Sequence, residues 1–300
     1  MNYQLGLIGY PLGHSLSPAI HAAALDALGL AGNYRLYPVA TGTENLLAIE
    51  NLLNRLRLGE LHGLNVTIPY KQVILPLVDK LTPAAQAVGA VNTIVLENGR
   101  LVGDNTDVPG FLADLERAFI LNPPLPGGEE MGVKEARTAL VLGAGGSARA
   151  VVFALRQAGW RVSIVARRLE QAAGLVEGLT VNEQAHPMEV FPLNSSILKE
   201  LAPTVTLVVN TTPVGMHPLI AASPWPEDIT LPADALIYDL VYNPPETELL
   251  RRARACGLRA VNGLGMLVEQ AALSFECWTG KTAPRQKMWE AAINALERKI

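Results

Sequence analysis

Residues 136–159 read ARTALVLGAGGSARAVVFALRQAG. An apolar run, Thr138–Leu142, leads into Gly143-Ala144-Gly145-Gly146-Ser147-Ala148, and a helix-like stretch follows until Gly159. Strand, glycine turn and helix in that order make a pyrophosphate site. The glycines allow a tight turn and a close backbone approach, and the helix start offers free N–H groups and a positive dipole. A second strand is expected at Val162–Ala166, and its end bears on the cofactor. An NAD site usually carries an acid about 20 residues after the loop, for the ribose hydroxyls. Here Val165-Ala166 is followed by Arg167-Arg168, and the nearest acid, Glu170, falls past the strand. Two guanidiniums suit a 2′-phosphate. The plain alternative is a glycine turn with a solvated arginine pair. The ordered context favours a dinucleotide site, and the basic strand end favours NADP.

Alternation of short apolar runs with helical stretches extends in both directions. On the N-terminal side, strands are expected at Leu5–Ile8, Tyr34–Val39 and Leu64–Ile68. Helices are expected from Ser17-Pro18, with Ile20, Ala24, Ala27 and Leu28 on one side, and over Glu44–Leu56. Helical segments then run to about Ala90. Thr93–Glu97 and Leu101–Val102 flank Asn98-Gly99, a strong hairpin signal. A helix over Val108–Phe119 follows. Residues 122–132, NPPLPGGEEMG, hold three prolines and three glycines and read as a surface loop. Beyond it, strands are expected at Leu207–Asn210 and Leu236–Asp239, and helices at Met266–Thr279 and Pro284–Lys299. Such alternation predicts α/β architecture with parallel sheets covered by helices. The length, 300 residues, favours two domains.

Composition narrows the class. Net charge is −4 with no basic run, which argues against nucleic acid and anionic membrane surfaces. No apolar run approaches the roughly 18 residues of a membrane span, and the N-terminus lacks the form of a signal peptide. Cys256 and Cys277 have no metal-like spacing and read as small hydrophobes. The histidines His14, His21, His62, His186 and His217 show no metal spacing; His14 alone is expected to border a site. A cytoplasmic location and no metal are expected.

On Gly63–Lys71, GLNVTIPYK, strand alternation would turn Leu64, Val66 and Ile68 to the core and Gly63, Asn65 and Thr67 to the other face. Pro69 stops the strand, and Lys71 follows. An amide, a hydroxyl and an ammonium therefore meet at a strand end, where open α/β sheets bind ligands. The other reading is a polar face capped by a surface lysine. Ser17 followed by Pro18 reads as a good N-cap with proline at the first helical position. A helix start with hydroxyls at Ser15 and Ser17 also suits a carboxylate. Gly103-Asp104-Asn105-Thr106-Asp107 lacks the glycine and closing Glu of an EF-hand. Asp107 could cap the helix that follows or face Lys71.

These motifs together resemble one family, the shikimate dehydrogenases, over nearly the whole chain. Carrying the likeness are Gly9–Pro18, Asn65–Lys71, Gly89–Thr93, Gly103–Asp107, Gly143–Gly146, Asn210–Met216 and Gly263–Gln270. The resemblance implies reversible reduction of 3-dehydroshikimate to shikimate with NADP, in aromatic amino acid biosynthesis. It implies a substrate domain of 1–107 plus 266–300 and a Rossmann-type domain of 108–265. Ser15 and Ser17 would hold the substrate carboxylate. Asn65, Thr67, Asn92, Asp107 and Gln270 would bind ring hydroxyls, with Tyr242 beside the substrate. Lys71 and Asp107 would be the catalytic pair. Gly143, Ala144, Gly145, Gly146 and Ser147 would cradle pyrophosphate, Arg167 and Arg168 would meet the 2′-phosphate, and Leu240 and Gly263 would complete the cofactor site. A monomer or homodimer is expected.

The chain departs from the family where Asn-Arg-Thr is usual, with a further basic residue three positions on. Here Ala166-Arg167-Arg168 is followed by Gln171. Ala22 also stands where Asn is common. A free lysine has a pKa of about 10.4. Burial would lower that value and a neighbouring Asp107 would oppose the shift, so Lys71 is read as either the acid–base group or an orienting group. Two other readings stand beside the first: a quinate/shikimate dehydrogenase using NAD, and a non-catalytic NADP-sensing Rossmann protein.

Overall fold

The computed structural model describes residues 1–42, 45–121, 137–179 and 187–298; the proline- and glycine-rich stretch 122–132 and His186 lie outside them. The chain forms two compact units, Met1–Gly110 with Leu267–Ile300, and Phe111–Met266.

The first unit runs β1 (Tyr3–Gly9), α1 (Ser17–Ala27), β2 (Gly32–Pro38), α2 (Asn45–Arg57), β3 (Gly63–Val66), β4 (Lys80–Leu81), α3 (Pro83–Val88), β5 (Thr93–Glu97), β6 (Arg100–Asp104) and the start of α4 (Asp107–Leu121). Its sheet has the order β2-β1-β3-β5-β6-β4. Pairs β1–β2, β1–β3 and β4–β6 are parallel; β3–β5 and β5–β6 are antiparallel. The hairpin turn is built as the sequence signals: Asn98 and Gly99 both take positive φ, 50° and 75°. A turn with two left-handed residues matches the twist of the strands it joins. One face of the sheet is packed by Ile8, Leu53, Leu64, Val66, Ile94 and Leu101.

The expected β3 is shortened. It ends at Val66, so the alternation stops there, and Ile68 is 57% exposed rather than in the core. On α1 the buried stripe is Ile20, His21, Ala24 and Leu25; Ala27 and Leu28 are exposed because the helix ends at Ala27. Gly63 needs its missing side chain. A Cβ there would lie 2.3 Å from the Trp278 ring.

The second unit runs β7 (Thr138–Leu142), α5 (Gly146–Gln157), β8 (Arg161–Ala166), α6 (Leu169–Glu177), β9 (Glu189–Pro192), α7 (Ser195–Leu201), β10 (Leu207–Asn210), β11 (Leu236–Asp239), α8 (Glu248–Ala255) and β12 (Arg259–Asn262). The order β12-β11-β10-β7-β8-β9 is parallel throughout. Numbered within the unit, it is the 3-2-1-4-5-6 order of dinucleotide-binding folds, with the switch between β7 and β10. Central strands β7, β10 and β11 are buried apolar runs, as parallel strands covered on both faces should be. The chain closes with α9 (Leu264–Thr279) and α10 (Arg285–Glu297). Among the described residues no helix is long and apolar enough to cross a membrane.

Strand β1 shows how tightly the first sheet is packed. Gly6 pairs with Arg35 of β2, and a Cβ at Gly6 would fall 2.7 Å from the Arg35 carbonyl oxygen and 2.3 Å from the Tyr37 ring. The ring can move but the ladder cannot. Gly6→Ala is expected to destabilise the chain by about 1–3 kcal/mol in urea unfolding, the ordinary cost of overpacking.

Candidate active site

In the first unit, backbone bonds on both sides fix Lys71. The Thr67 amide donates to the Ile8 carbonyl at 2.9 Å, and the Tyr70 amide turns back to the Thr67 carbonyl at 2.9 Å. Tyr70 is buried, and its hydroxyl donates to the Val39 carbonyl at 2.8 Å. The Lys71 carbonyl accepts from the Val91 amide at 2.8 Å. With Tyr70 turned inward, Lys71 Nζ reaches Asp107 Oδ2 at 2.5 Å. Both residues are buried, at 8% and 5% exposure. Asp107 opens α4 but does not cap it. Asn105 does, its Oδ1 accepting from the Val108 amide at 3.3 Å while its Nδ2 donates to the Ala90 carbonyl at 2.9 Å. The Asp107 carboxylate is left for Lys71 and for Asn92, whose Nδ2 donates to Oδ1 at 2.9 Å.

Asn92 Nδ2 also lies 3.4 Å from Gln270 Oε1 on α9, and Asn92 Oδ1 accepts from the Thr106 amide at 2.8 Å. Gly110 lets α4 and α9 approach here, since a Cβ on it would sit 2.9 Å from the Gln270 amide nitrogen. Asn65 lies deeper. Its Nδ2 donates toward Asn92 O (3.1 Å), Thr93 Oγ1 (3.2 Å) and Ser274 Oγ (2.9 Å), and its Oδ1 accepts from the Tyr34 hydroxyl at 2.8 Å. Both amide hydrogens are thus committed to the protein, leaving one lone pair on Oδ1 for any ligand. Thr93 and Thr106, which lie within the family motifs but are given no role by them, join this cluster, as does Ser274, which stands one helical turn after Gln270 and which the sequence does not single out.

Thr67 is partly exposed in the turn after β3. Ser17 is not the N-cap expected from the sequence. Leu16 holds that position, and Ser15 Oγ accepts from the Ser17 amide at 3.2 Å, so the two hydroxyls lie together at the start of α1. His14 beside them is exposed.

His21, read from the sequence as ordinary, is fully buried next to Asn65. Its ring stacks on Tyr34 with centroids 4.2 Å apart and planes at 4°, and the Trp278 ring lies at 5.4 Å. Burial drives its pKa down to about 3, against a weaker opposing interaction with the Asn65 side chain, and among the described residues neither ring nitrogen has a partner in hydrogen-bond geometry. Burial pushes the Tyr34 phenol well above its ordinary value, with the Ser17 hydroxyl opposing slightly.

In the second unit, Gly143–Ser147 bridge β7 and α5 and are partly exposed. Gly143 has φ 108°, and a side chain there would press on Thr211. Gly145 is the N-cap of α5 in extended conformation with no side-chain cap, and a Cβ on it would meet nothing within 4 Å. The helix start therefore faces open space with its first amides uncapped, which suits a pyrophosphate. Arg167 and Arg168 are exposed at the end of β8.

At the ends of β10 and β11, Asp239 Oδ1 accepts from the Asn210 amide group (2.8 Å) and the Val241 backbone N–H (3.0 Å), and Oδ2 from the Thr247 hydroxyl (2.7 Å). Burial raises the Asp239 pKa to about 6, against those three hydrogen bonds. Asn210 Oδ1 in turn accepts from the Thr212 amide and hydroxyl. The loops after both strands are thus held by one buried carboxylate. Leu240, Tyr242 and Gly263 lie beside it in sequence or space. A Cβ on Gly263 would be 2.2 Å from the Leu240 carbonyl oxygen. Burial pushes the Tyr242 phenol up to about 12.

His21 gives a pH test. Its folded pKa lies below the ordinary 6.5, so between pH 6.5 and about 3 the unfolded chain binds the extra proton and stability falls as pH falls. His21→Phe keeps an aromatic ring against Tyr34 and removes this linkage. The difference in unfolding free energy between variant and wild type is expected to move in the variant's favour by up to about 1.4 kcal/mol per pH unit as pH drops from 6 to 4. A constant difference across that range would remove His21 from the acid sensitivity.

Comparison with known proteins bears on both units. The family model of the shikimate dehydrogenase substrate binding domain matches residues 7–94, and that of the shikimate 5'-dehydrogenase C-terminal domain matches residues 263–293. The chain is 42% identical over 288 residues to the shikimate dehydrogenase (NADP(+)) of Salinibacter ruber, covering 95% of each chain. The crystal structure of shikimate 5-dehydrogenase from Thermus thermophilus in complex with NADP(H) and shikimate is 39% identical. It superposes with a TM-score of 0.81 over 98% of this chain and 100% of that one. A quinate dehydrogenase from Corynebacterium glutamicum in complex with NAD is 31% identical, with a TM-score of 0.82 over 98% and 99% of the two chains.

Proposed function

The chain belongs to the shikimate dehydrogenase family, and on that premise we propose that it is an NADP-dependent oxidoreductase interconverting 3-dehydroshikimate and shikimate in aromatic amino acid biosynthesis. The observation that carries the chemistry is the buried Lys71–Asp107 pair, backed by Asn92.

Reducing a ring ketone needs a hydride at carbon and a proton at oxygen. NADPH, when bound, supplies the hydride. Lys71 Nζ carries three protons, one of them directed at Asp107 Oδ2 at 2.5 Å. One of the other two passes to the substrate oxygen as the carbonyl bond becomes a C–O⁻ bond, and the amine recovers a proton from water afterwards. In the oxidative direction the neutral amine takes the hydroxyl proton. Asp107 orients Nζ, and Asn92 fixes Asp107 through its second oxygen. Ser15 and Ser17 hold the substrate carboxylate, and Thr67, Asn92 and Gln270 its ring hydroxyls, with Tyr242 alongside. Asn65 contributes at most the free lone pair of Oδ1.

The bare amides of Gly146–Ala148 take the pyrophosphate. Arg167 takes the 2′-phosphate through its donor fork, and Arg168 substitutes for the second basic residue that the family usually carries where this chain has Gln171. The enzyme acts as a monomer or homodimer in the cytoplasm, with no nucleic-acid or membrane partner.

The first assay is purified protein with shikimate and NADP, following absorbance of the reduced nicotinamide, with NAD and quinate as parallel arms. Fast turnover with shikimate and NADP alone is the expected pattern. Faster turnover of quinate with NAD would make the chain a quinate dehydrogenase, and NADP binding without turnover would make it a sensor. Lys71→Met is expected to lower kcat by about 10²–10⁴-fold, the usual worth of a positioned acid–base group. A raised KM at unchanged kcat would make Lys71 a binding group instead. Arg167→Ser is expected to raise KM for NADP about tenfold or more while leaving KM for NAD nearly unchanged, since a charge-assisted bond to phosphate is worth about 1.5–3 kcal/mol.

A further inference from the structure

Tyr34 lies on β2, and no feature of its sequence context marks it. Its hydroxyl donates to Asn65 Oδ1 at 2.8 Å. Asn65 Nδ2 donates to the Asn92 carbonyl at 3.1 Å, Asn92 Nδ2 to Asp107 Oδ1 at 2.9 Å, and Asp107 Oδ2 meets Lys71 Nζ at 2.5 Å. Every member of this series is buried.

The ring that starts the series is clamped. His21 stacks flat on one side of Tyr34, and Trp278 lies 6.4 Å away at 41°, its own position held by a bond from Nε1 to the Ile94 carbonyl at 3.0 Å. His21 stays uncharged through the physiological range, so the stack does not change with pH there. The phenol also stays protonated, because burial raises its pKa. It is therefore a permanent donor. An asparagine amide has two nearly equivalent ends, and only its partners decide which end faces which way. The Asn92 carbonyl already accepts from the Val66 amide at 2.8 Å and can only accept, so Nδ2 is the Asn65 end compatible with it, and Tyr34 is the donor that matches this orientation at the other end. From Nδ2 a side-chain route also runs to Thr93 Oγ1 at 3.2 Å and from there to Asn92 Oδ1 at 3.1 Å.

We propose that Tyr34 is a positioning residue for the Lys71–Asp107 pair: its hydroxyl fixes the Asn65 amide, and through Asn65 and Asn92 it sets the carboxylate that orients Lys71. The assignment rests on the shikimate dehydrogenase reading. Removing the hydroxyl while keeping the ring leaves Asn65 Oδ1 without its donor, so the amide is held only through Nδ2, by Asn92, Thr93 and Ser274, and its orientation is less sharply set.

The test is Y34F in the full chain, with kcat and KM measured for shikimate and for NADP. The expected result is a five- to tenfold loss in kcat/KM for shikimate, about one net hydrogen bond, with KM for NADP unchanged. In a double-mutant cycle, Y34F is expected to cost nothing further once Asn65→Ala is present. Unchanged kcat/KM for shikimate in Y34F, or additive losses in the cycle, overturns the assignment even if the melting temperature falls. If Y34F is too unstable for kinetics, 3,5-difluorotyrosine at position 34 serves instead. It keeps the ring and sharpens the donor, and it is expected to hold kcat/KM at or above wild type; a loss like that of a missing hydroxyl overturns the proposal. A wild-type chain that turns over no shikimate with NADP removes the activity itself, a result separate from any difference between wild type and Y34F.

Discussion

Lys71 is an ammonium that the fold has taken out of water, and one carboxylate 2.5 Å away answers it. Two charges in a buried place cost several kcal/mol each in lost hydration, so a pair of this kind persists only where its geometry is held from all sides. Much of the first unit can be read as that holding. Tyr70 is anchored in the core on one side of Lys71, and the Val91 amide grips the Lys71 carbonyl. Asn105 takes over the capping of α4 so that Asp107 need not. Asn92 engages the second carboxylate oxygen. Apart from the local Asn105 cap, these contacts join residues far apart in sequence, and the fold brings them to one point.

The second unit answers the opposite requirement. There the fold leaves groups unsatisfied for a ligand to complete. The first amides of α5 have no side-chain cap, and two arginines stand at the end of the neighbouring strand. The order of the parallel strands creates a crevice at the switch between β7 and β10, and the glycine loop sits at its edge. Beside it, Asp239 binds the loops after β10 and β11 together, which is a structural use of a carboxylate rather than a chemical one.

The glycine loop, the Asn98-Gly99 hairpin and the buried central strands were legible in the sequence because each has a strong local cause: a turn that needs glycine, or a run of residues covered on both faces. The missed strands, β4, β9 and β12, lack that cause. They are two to four residues long, sit at sheet edges and are half exposed, so their sequences carry neither a long apolar run nor clear alternation. Pro192 in β9 is tolerated for the same reason. In the site, Lys71, Asp107, Asn65, Asn92 and Gln270 stood out as polar residues in apolar or motif settings. Tyr34, His21 and Ser274 did not, because what makes them part of the site is three-dimensional. Ser274 is 209 residues from the amide it contacts. Ser17 misled the reading of the helix start: Leu16 takes the N-cap position with no side-chain cap, and Ser17 instead gives its own amide to Ser15 Oγ.

Gly63 and Trp278 share one volume, with the indole occupying the place of a side chain on the strand. Neither position can change size alone, though 215 residues separate them by subtraction of their numbers. Over evolutionary time such a pair constrains drift. A lineage that enlarges the residue at 63 must pass through, or wait for, a smaller ring at 278, and losing the indole also gives up its bond to Ile94 and the wall beside Tyr34. Among relatives the two positions should therefore change together or not at all, a signature carried by the shape of the floor beneath the site and visible without any knowledge of the reaction.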